Sequence, residues 1–304
     1  MARQFDYLAD VEVFLAVVEQ GSFTAAAAAF GSTPSVLSRA LARLEARLGQ
    51  QLLQRSTRRL GLTEAGRAYL EQARTAFTLL DDAQRQAQGQ GAALAGRVRL
   101  SVPTTYGHHR LPPLLARFRQ QHPQVQVDLH ISNRNVDLVA EGVDLAIRLG
   151  TLPDSGLVAR ELEQAALCLV ASPDYLHRAG MPMDLAALQQ HACLPFVMPR
   201  TGRIAAWALR EDGRDIDWVP RGGIEVSDDV LGVVTLAEHG LGICQSYDFI
   251  VAERVARGAL VEVLPQLRGR TRPFSLLYAP HRHQSAATRA LIEVLLAGAV
   301  GAVP

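Results

Sequence analysis

Between residues 33 and 49 the chain reads TPSVLSRALARLEARLG, and its apolar positions keep a helical beat. Leu37, Leu41, Leu44 and Leu48 recur at spacings of four, three and four, which puts them on one stripe of a helix. At about 100° per residue, Ser35, Arg39, Ala42, Arg43 and Ala46 fall on the opposite face. Thr33 stands where a hydroxyl caps a helix, Pro34 suits the first helical position, and Gly49 is a fitting stop. The pattern predicts a helix with a leucine face on a core and a small-polar, arginine-bearing face open to a groove.

The neighbouring segments extend this unit. Leu8, Val11, Phe14, Leu15 and Val18 predict a helix over 6–20 that Gly21 ends. Ser22, Phe23 and Thr24 restart a second helix, with Thr24 as its predicted cap and an alanine run that allows close packing. Gly31 breaks it before Thr33 opens the third. Two short helices joined by a tight turn, the second with small polar and arginine residues at its start, match a helix-turn-helix. After Gly49 the period shortens: Leu60 and Leu62 alternate with Gly61 and Thr63, opposite Leu52 and Leu53. This predicts a hairpin with the arginine-rich tip QRSTRR, a wing able to reach phosphates or a minor groove. Thr63 then caps a long helix over 64–90. Its Tyr69, Ala73, Ala76, Leu80, Ala83 and Ala87 follow a heptad seam, the predicted dimerisation surface. A Gln-, Gly- and Ala-rich hinge over 84–96 leads out of it.

From Arg97 the chain alternates strands with helices. Val98, Leu100 and Val102 read as one strand, Val125, Val127, Leu129 and Ile131 as another, with a helix from LPPLLARFRQQHP between them. A helix over 134–141 and a strand over 143–150 follow. Strands over 167–172, 223–227, 240–246, 260–265 and 274–280 come next, with helices over 229–239, up to Arg257, and over 285–299. Such alternation predicts a parallel α/β sheet in two lobes, joined by crossing strands near 160–166 and 266–273. A ligand would bind between the lobes, beyond the strand ends.

Composition narrows the reading. The 304 residues are 48% apolar and 20% charged, as expected of a globular chain, and no apolar run approaches the roughly 20 residues of a membrane span. Acids inside the first apolar run argue against a signal peptide, so a cytoplasmic protein with no membrane partner is expected. Net charge is only +1, and all 31 basic side chains are arginine. Seven of them lie within 33–67 against two acids, which fits a polyanion-binding module on a balanced body. Cys168, Cys193 and Cys244 give neither a disulfide framework nor a zinc pattern, and Cys168 and Cys244 lie in apolar contexts that predict buried thiols. The adjacent His108 and His109 point apart on a helix and make no metal site, while His281 and His283 flank Arg282 in a turn read as solvated. No GxSxG, P-loop or HExxH motif is present, so no enzyme and no cofactor are expected.

The run GSFTAAA…TPSVLSRALARLEARLGQQLLQRSTRRLGLTEAG resembles the N-terminal domain of LysR-type transcriptional regulators. GRVRLSVPTTYG…LPPLLARF…HPQVQVDL…DLVAEGVDLAIRLG is similar to their effector-binding domain, and GLGI and the last helix continue the likeness. The sequence departs from many members by having Pro34 in place of a glutamine and Ser35 in place of a proline, so that glutamine's base contacts do not carry over. The resemblance implies an α/β multidomain protein: a winged helix-turn-helix over 1–62, a linker and dimerisation helix over 63–92, and a periplasmic-binding-protein-like (type 2) effector domain over 93–304. Lobe I of that domain would take 93–161 and 271–304, and lobe II 162–270. It further implies a homodimer or homotetramer that binds double-stranded promoter DNA, acts with RNA polymerase, and answers a small anionic or aromatic effector.

The residues assign the contacts. Ser35, Ser38, Arg39 and Arg43 project from the helix start and its polar face, with Ser38 and Arg39 meant for bases or adjacent phosphates. Thr24, Thr33, Arg55, Thr57, Arg58 and Arg59 would hold the DNA backbone. For the effector, Thr104 and Thr105 offer hydroxyls and N–H groups at a helix start, Ser132 and Asn133 follow the second strand, and Arg148 can pair with an anion. Ser227 and Gln245 end strands in the other lobe. Two rivals stay open at this level: a ligand-independent nucleoid-type DNA-binding protein, and a solute-binding protein of transport.

Overall fold

The computed structural model describes residues 6–55, 60–87, 94–134, 137–138, 141–150, 156–199, 201–280 and 284–300, leaving aside the side chains of 55, 82, 85–87, 299 and 300. The chain divides into two compact units. The first is Met1–Ala92 with the short pieces Val139–Gly142 and Arg282–Ser285; the second is Ala93–Leu138, Val143–His281 and Ala286–Pro304.

In the first unit, helices α1 (Leu8–Gln20), α2 (Phe23–Ala29) and α3 (Pro34–Leu48) precede a hairpin of β1 (Leu53–Arg55) and β2 (Leu60–Leu62) and the long helix α4 (Glu64–Ala87). Leu37, Leu41 and Leu44 of α3 are buried with Phe14 and Val17 of α1, Ala26 and Ala27 of α2, Leu52 and Leu53, and Leu70 of α4. Each leucine, valine or phenylalanine of this set contributes about 1.5–3 kcal/mol on burial, and the alanines less. Leu48, the last of the predicted stripe, is exposed, and Ala40 takes a buried place instead.

Two caps differ from the sequence reading. Ser22, not Thr24, caps α2: its Oγ accepts the Ala25 N–H at 3.0 Å, because an extended residue just before the first turn is what can reach that N–H. Thr33 precedes α3 in an extended conformation but makes no side-chain cap, and its hydroxyl instead pairs with that of Ser35 at 3.1 Å. Gly49 ends α3 at φ +64°, a left-handed conformation that glycine enters without strain. Glu45 then fixes the wing to α3, its Oε1 accepting the N–H groups of Leu52 at 2.8 Å and Leu53 at 3.2 Å. Strands β1 and β2 pair antiparallel, Leu53 opposite Leu62, while the tip 56–59 lies outside the described residues.

Thr63 caps α4 as expected, accepting the Gly66 N–H at 2.9 Å. The heptad seam, however, does not face one way. Ala73 is buried in the unit's own core and Tyr69 packs against Phe14 with ring centroids 5.9 Å apart, so among the seam's described side chains only Ala76, Leu80 and Ala83 are exposed. The period is real, but the first turns of α4 have core of their own to bury. The Ala87 side chain and residues 88–93 of the hinge lie outside the described residues.

The second unit is a mixed α/β fold. Lobe I holds β3 (Ala95–Val102), α5 (Thr104–His109), α6 (Leu111–Gln121), β4 (Gln124–Ile131), β5 (Leu145–Leu149) and the first half of β6 (Val158–Ala171). Lobe II adds α7 (Pro173–Ala179), α8 (Leu185–Leu188), β7 (Phe196–Val197), β8 (Trp207–Glu211), β9 (Arg214–Trp218), β10 (Val226–Ser227), α9 (Leu231–Glu238), β11 (Cys244–Tyr247), α10 (Asp248–Ala256) and β12 (Val261–Val263). The chain returns through β13 (Thr271–Tyr278) and ends in α11 (Ala286–Val300). One sheet runs in the order β11-β6-β13-β5-β3-β4, with β12 also on β6.

The sheet is not all parallel. β3 pairs parallel with β4 and β5, but β13 is antiparallel to both β5 and β6, and β11 and β12 are antiparallel to β6. The cause is the crossing itself. β6 leaves lobe I, pairing with β13 through its first nine residues and with β11 and β12 beyond, and the chain comes back beside it in the opposite sense. Alternating periods reveal strands, not their directions. Of the helix expected over 134–141, residues 135, 136, 139 and 140 lie outside the described residues; the other four are not helical, and Val143 donates to Leu138 O at 2.9 Å. The hairpin β8–β9 was not anticipated.

Gly66 gives a prediction whose sign opposes helix propensity. A Cβ there would lie 2.0 Å from Leu52 O, where the first turn of α4 crosses the residue that leads into β1. Propensity alone makes Gly66→Ala stabilising by about 1 kcal/mol. The packing instead predicts a loss of about 1–3 kcal/mol, read as a lower denaturation midpoint.

Candidate nucleic-acid interface and ligand cleft

Burial of the leucine stripe turns the other face of α3 outward. Thr33, Ser35, Val36, Arg39, Ala42, Arg43 and Ala46 are exposed, and Ser38 is half-buried. Thr24, on α2, is exposed as well. The three arginines of α3 have different commitments. Arg39 makes a single, long bond, Nε to Ser35 O at 3.4 Å, and among the described residues it meets no carboxylate. Arg43 is held in a two-point pair by Asp10 of α1, at 3.1 and 2.5 Å. That hydrogen bonding and charge raise the Arg43 pKa above its ordinary value. Asp10 is largely covered while Arg43 is 64% exposed, so the guanidinium is fixed but still reachable. Arg47 pairs with Asp6 at 2.9 Å and lies over the Tyr7 ring.

Chemically, this face offers hydroxyls and one uncommitted guanidinium on a rigid helix, which suits a phosphate or the acceptor edge of a base. Arg43 brings a cation whose direction is set by the protein. Sequence reasoning missed Asp10, which sits on α1 far from the motif, where spacing carries no signal. Arg55 lies in β1 with its side chain outside the described residues, as are Thr57, Arg58 and Arg59 entirely.

In the second unit, a polar cluster joins the two lobes at the end of β3. Thr104 begins α5, and its N–H donates to Asn133 Oδ1 at 3.1 Å. Its hydroxyl donates to Asp229 Oδ1 at 3.2 Å, across from lobe I to lobe II. The Asn133 amide donates to Thr104 Oγ1 at 3.0 Å and to Asp228 O at 2.7 Å, a second link between lobes. Asp229 also receives the Leu231 N–H at 3.1 Å, which holds it at the entry to α9. Thr105 is buried, and its hydroxyl has no hydrogen-bond partner among the described residues. An unsatisfied buried hydroxyl is rare enough to demand a reason.

The other residues named for the ligand scatter more. Ser132 Oγ accepts the Arg134 N–H at 3.2 Å, and Ser227 is exposed at the end of β10. Arg148 bonds Ser101 Oγ at 2.9 Å, Ser101 O at 3.2 Å and Ile147 O at 2.7 Å. The Gln245 amide is bound at both ends by Ala208, accepting from its N–H and donating to its carbonyl, each at 2.9 Å. It thereby acts as a strand partner for the β8–β9 hairpin rather than as an open donor. Asp228 and Asp229 escaped the sequence reading; their signal was an acidic pair directly after a predicted strand end. His108 and His109 lie on α5, with His109 edge-on to Phe249 at 6.1 Å, and 281–283 lie outside the described residues.

Comparison with known proteins gives two family matches. Residues 8–67 match the bacterial regulatory helix-turn-helix protein, lysR family, and residues 91–299 match the LysR substrate binding domain. The chain is 35% identical over 291 residues to an HTH-type transcriptional regulator of Xanthomonas campestris pv. campestris, covering 95% of this chain and 84% of that one. It is 36% identical over 282 residues to the HTH-type transcriptional regulator PtxR of Pseudomonas aeruginosa, covering 93% and 89%. Among solved structures, CrgA, a LysR-type transcriptional regulator from Neisseria meningitidis, superposes with a TM-score of 0.61 at 31% identity, covering 96% of this chain and 98% of that one. Among the described residues no single helix is long and apolar enough to cross a membrane.

The thiols complete the electrostatic picture. Cys168, Cys193 and Cys244 are free and buried. Burial pushes Cys168 up to about 11, partly offset by Arg268, and Cys193 up to about 12. Cys244 is raised for the same reason. The thiolate is the reactive form. A disulfide reagent at pH 8 is therefore expected to leave all three unmodified in the native chain and to titrate three after unfolding. A fast-reacting thiol in the native chain would contradict this.

Proposed function

The chain belongs to the LysR family of transcriptional regulators, and from that premise we propose how its residues divide the work. It is a DNA-binding regulator with an effector-binding domain and not an enzyme. In the proposed division, 1–62 binds DNA, 63–92 links and dimerises, and 93–304 senses. Ser35, Ser38 and Arg39 read bases or adjacent phosphates from α3. Thr24, Thr33 and Arg43 grip the backbone, with Arg55, Thr57, Arg58 and Arg59 of the wing beside them. The observation that carries this is the exposed face of α3 with Arg39 uncommitted on it, behind which Leu37, Leu41 and Leu44 are buried. Neutralising phosphates releases counterions, so the grip weakens steeply with salt.

The effector is proposed to enter between the lobes at Thr104, Thr105, Ser132 and Asn133, with Arg148 and Ser227 nearby. An anionic effector fits the lobe bridge best, an aromatic one less directly. Its carboxylate would replace that of Asp229 on the Thr104 hydroxyl, and the buried Thr105 hydroxyl gains a partner. Binding would then exchange one lobe-to-lobe link for a ligand-mediated one, a differential contact of the kind that shifts a conformational equilibrium. A thermal-shift screen of small organic acids with the full chain tests this, since a ligand of the native state raises the midpoint. A homodimer through the exposed Ala76, Leu80 and Ala83 of α4, or a tetramer built on it, would place two recognition helices on one operator in the cytoplasm, where RNA polymerase is the partner.

A gel-shift titration against the promoter next to the gene and against random DNA separates this reading from a nucleoid role, which predicts equal affinities. Arg39→Ala is expected to weaken operator binding by about 1–3 kcal/mol at fixed salt. Unchanged binding by that variant would remove α3 from the interface.

A further inference from the structure

One side chain on the exposed face of α3 serves neither the core nor any polar contact. Val36 is 44% exposed, whereas Leu37 beside it and Ala40 one turn on are buried. It lies in the first turn of the helix between Ser35 and, three residues on, Arg39, a spacing that puts valine and arginine side by side. A β-branched residue lowers helix propensity, and here 44% of its surface stays exposed. Helix propensity does not favour it, and packing covers it only in part.

Its surroundings supply a reason. Ser35, Ser38 and Arg39 match the donors and acceptors of base edges, but the major groove has one apolar feature that none of them can read. That feature is the C5 methyl group of thymine. A pair of γ-methyl groups, held rigid at χ1 and presented at the start of a recognition helix, is complementary to it. The Val36 backbone is fixed too, since its N–H donates to Thr33 O at 3.0 Å. The other large exposed apolar residue of α3, Leu48, sits at the far end of the helix on the leucine stripe and is not so placed.

We propose that Val36 is a specificity-determining residue that recognises the 5-methyl group of a thymine next to the base or phosphate engaged by Arg39. The inference rests on the reading that the exposed face of α3 enters the major groove. It adds a distinct discrimination: thymine against cytosine at one position of each half-site, made by contact with a methyl group rather than by hydrogen bonding.

The test uses the full chain and a duplex from the promoter next to the gene, its protected region first mapped by footprinting. Each protected dT is replaced singly by deoxyuridine, which removes only the methyl group, and affinity is measured at fixed salt. The wild-type protein is expected to bind about 3- to 5-fold more weakly at one position per half-site, the scale of one buried methyl group. Val36→Ala should bind the native and demethylated duplexes equally at that position. Val36→Thr, which keeps one γ-methyl, should fall between. Because Val36 is exposed, both variants should keep the wild-type circular dichroism and melting midpoint. The proposal is overturned if no demethylation weakens the wild type, or if Val36→Ala keeps the same loss at every position. Arg39→Ala, titrated alongside, separates the two levels. If Arg39→Ala weakens binding and the methyl effect is independent of Val36, only this inference fails. If Arg39→Ala binds as the wild type does, the groove-facing assignment of α3 fails and the inference with it.

Discussion

The first unit depends on one constraint: α3 must bury Leu37, Leu41 and Leu44 against Phe14, Leu52 and Leu70. That burial decides which face of the helix is outward, and hence that Ser35, Val36, Arg39 and Arg43 share a surface. It also decides where the wing begins. Glu45 stands on α3 between the two faces and receives the N–H groups of Leu52 and Leu53, so the hairpin leaves α3 at a fixed angle. Gly66 lets α4 close over the Leu52 backbone that leads into the hairpin. A rotation of α3 by one residue would expose leucines, bury an arginine and detach the wing together.

Electrostatics refine that arrangement without creating it. Arg43 is tied back to α1 through Asp10 and Arg47 to Asp6 just before that helix, whereas Arg39 meets no carboxylate among the described residues. Exposed ion pairs of this kind add little stability, so their consequence is directional. A guanidinium already neutralised by Asp10 offers less to a phosphate than a free one, and what it offers points one way. In the second unit the corresponding organiser is β6, which carries the chain from one lobe to the other and is flanked by β13 on one half and by β11 and β12 on the other. The lobes meet again at Thr104, Asn133, Asp228 and Asp229, through hydrogen bonds that a competing ligand can replace.

Legibility from sequence followed the range of the interaction. The stripe of α3, the stop at Gly49, the Thr63 cap and the wing are local periodicities and turn chemistries, and all are readable. Thr24 misled because serine at 22 and threonine at 24 both suit a cap, and only the backbone decides between them. Tyr69 and Ala73 obey a heptad, but the same spacing serves a helix packing on its own domain. Strand direction around β6 and β13 is a property of topology, which no period records. Gln245 reads as a strand-end polar residue, yet its amide completes the β8–β9 hairpin. That hairpin did carry a signal, Asp212 and Gly213 between alternating Trp207, Leu209, Ile216 and Trp218, and it was open to reading. Asp10, Asp228 and Asp229 act across long sequence separations, where spacing is silent.

Because the native thiols are buried, a single introduced cysteine can interrogate the central claim directly. Ala42→Cys, on the exposed face of α3, would be labelled with a photoactivatable cross-linker and irradiated with promoter DNA. Gly213→Cys, in the turn of the β8–β9 hairpin, serves as the control. The account predicts cross-linked DNA from position 42 and none from position 213. Failure of the label at 42 to capture DNA while the labelled protein still shifts the promoter would contradict it.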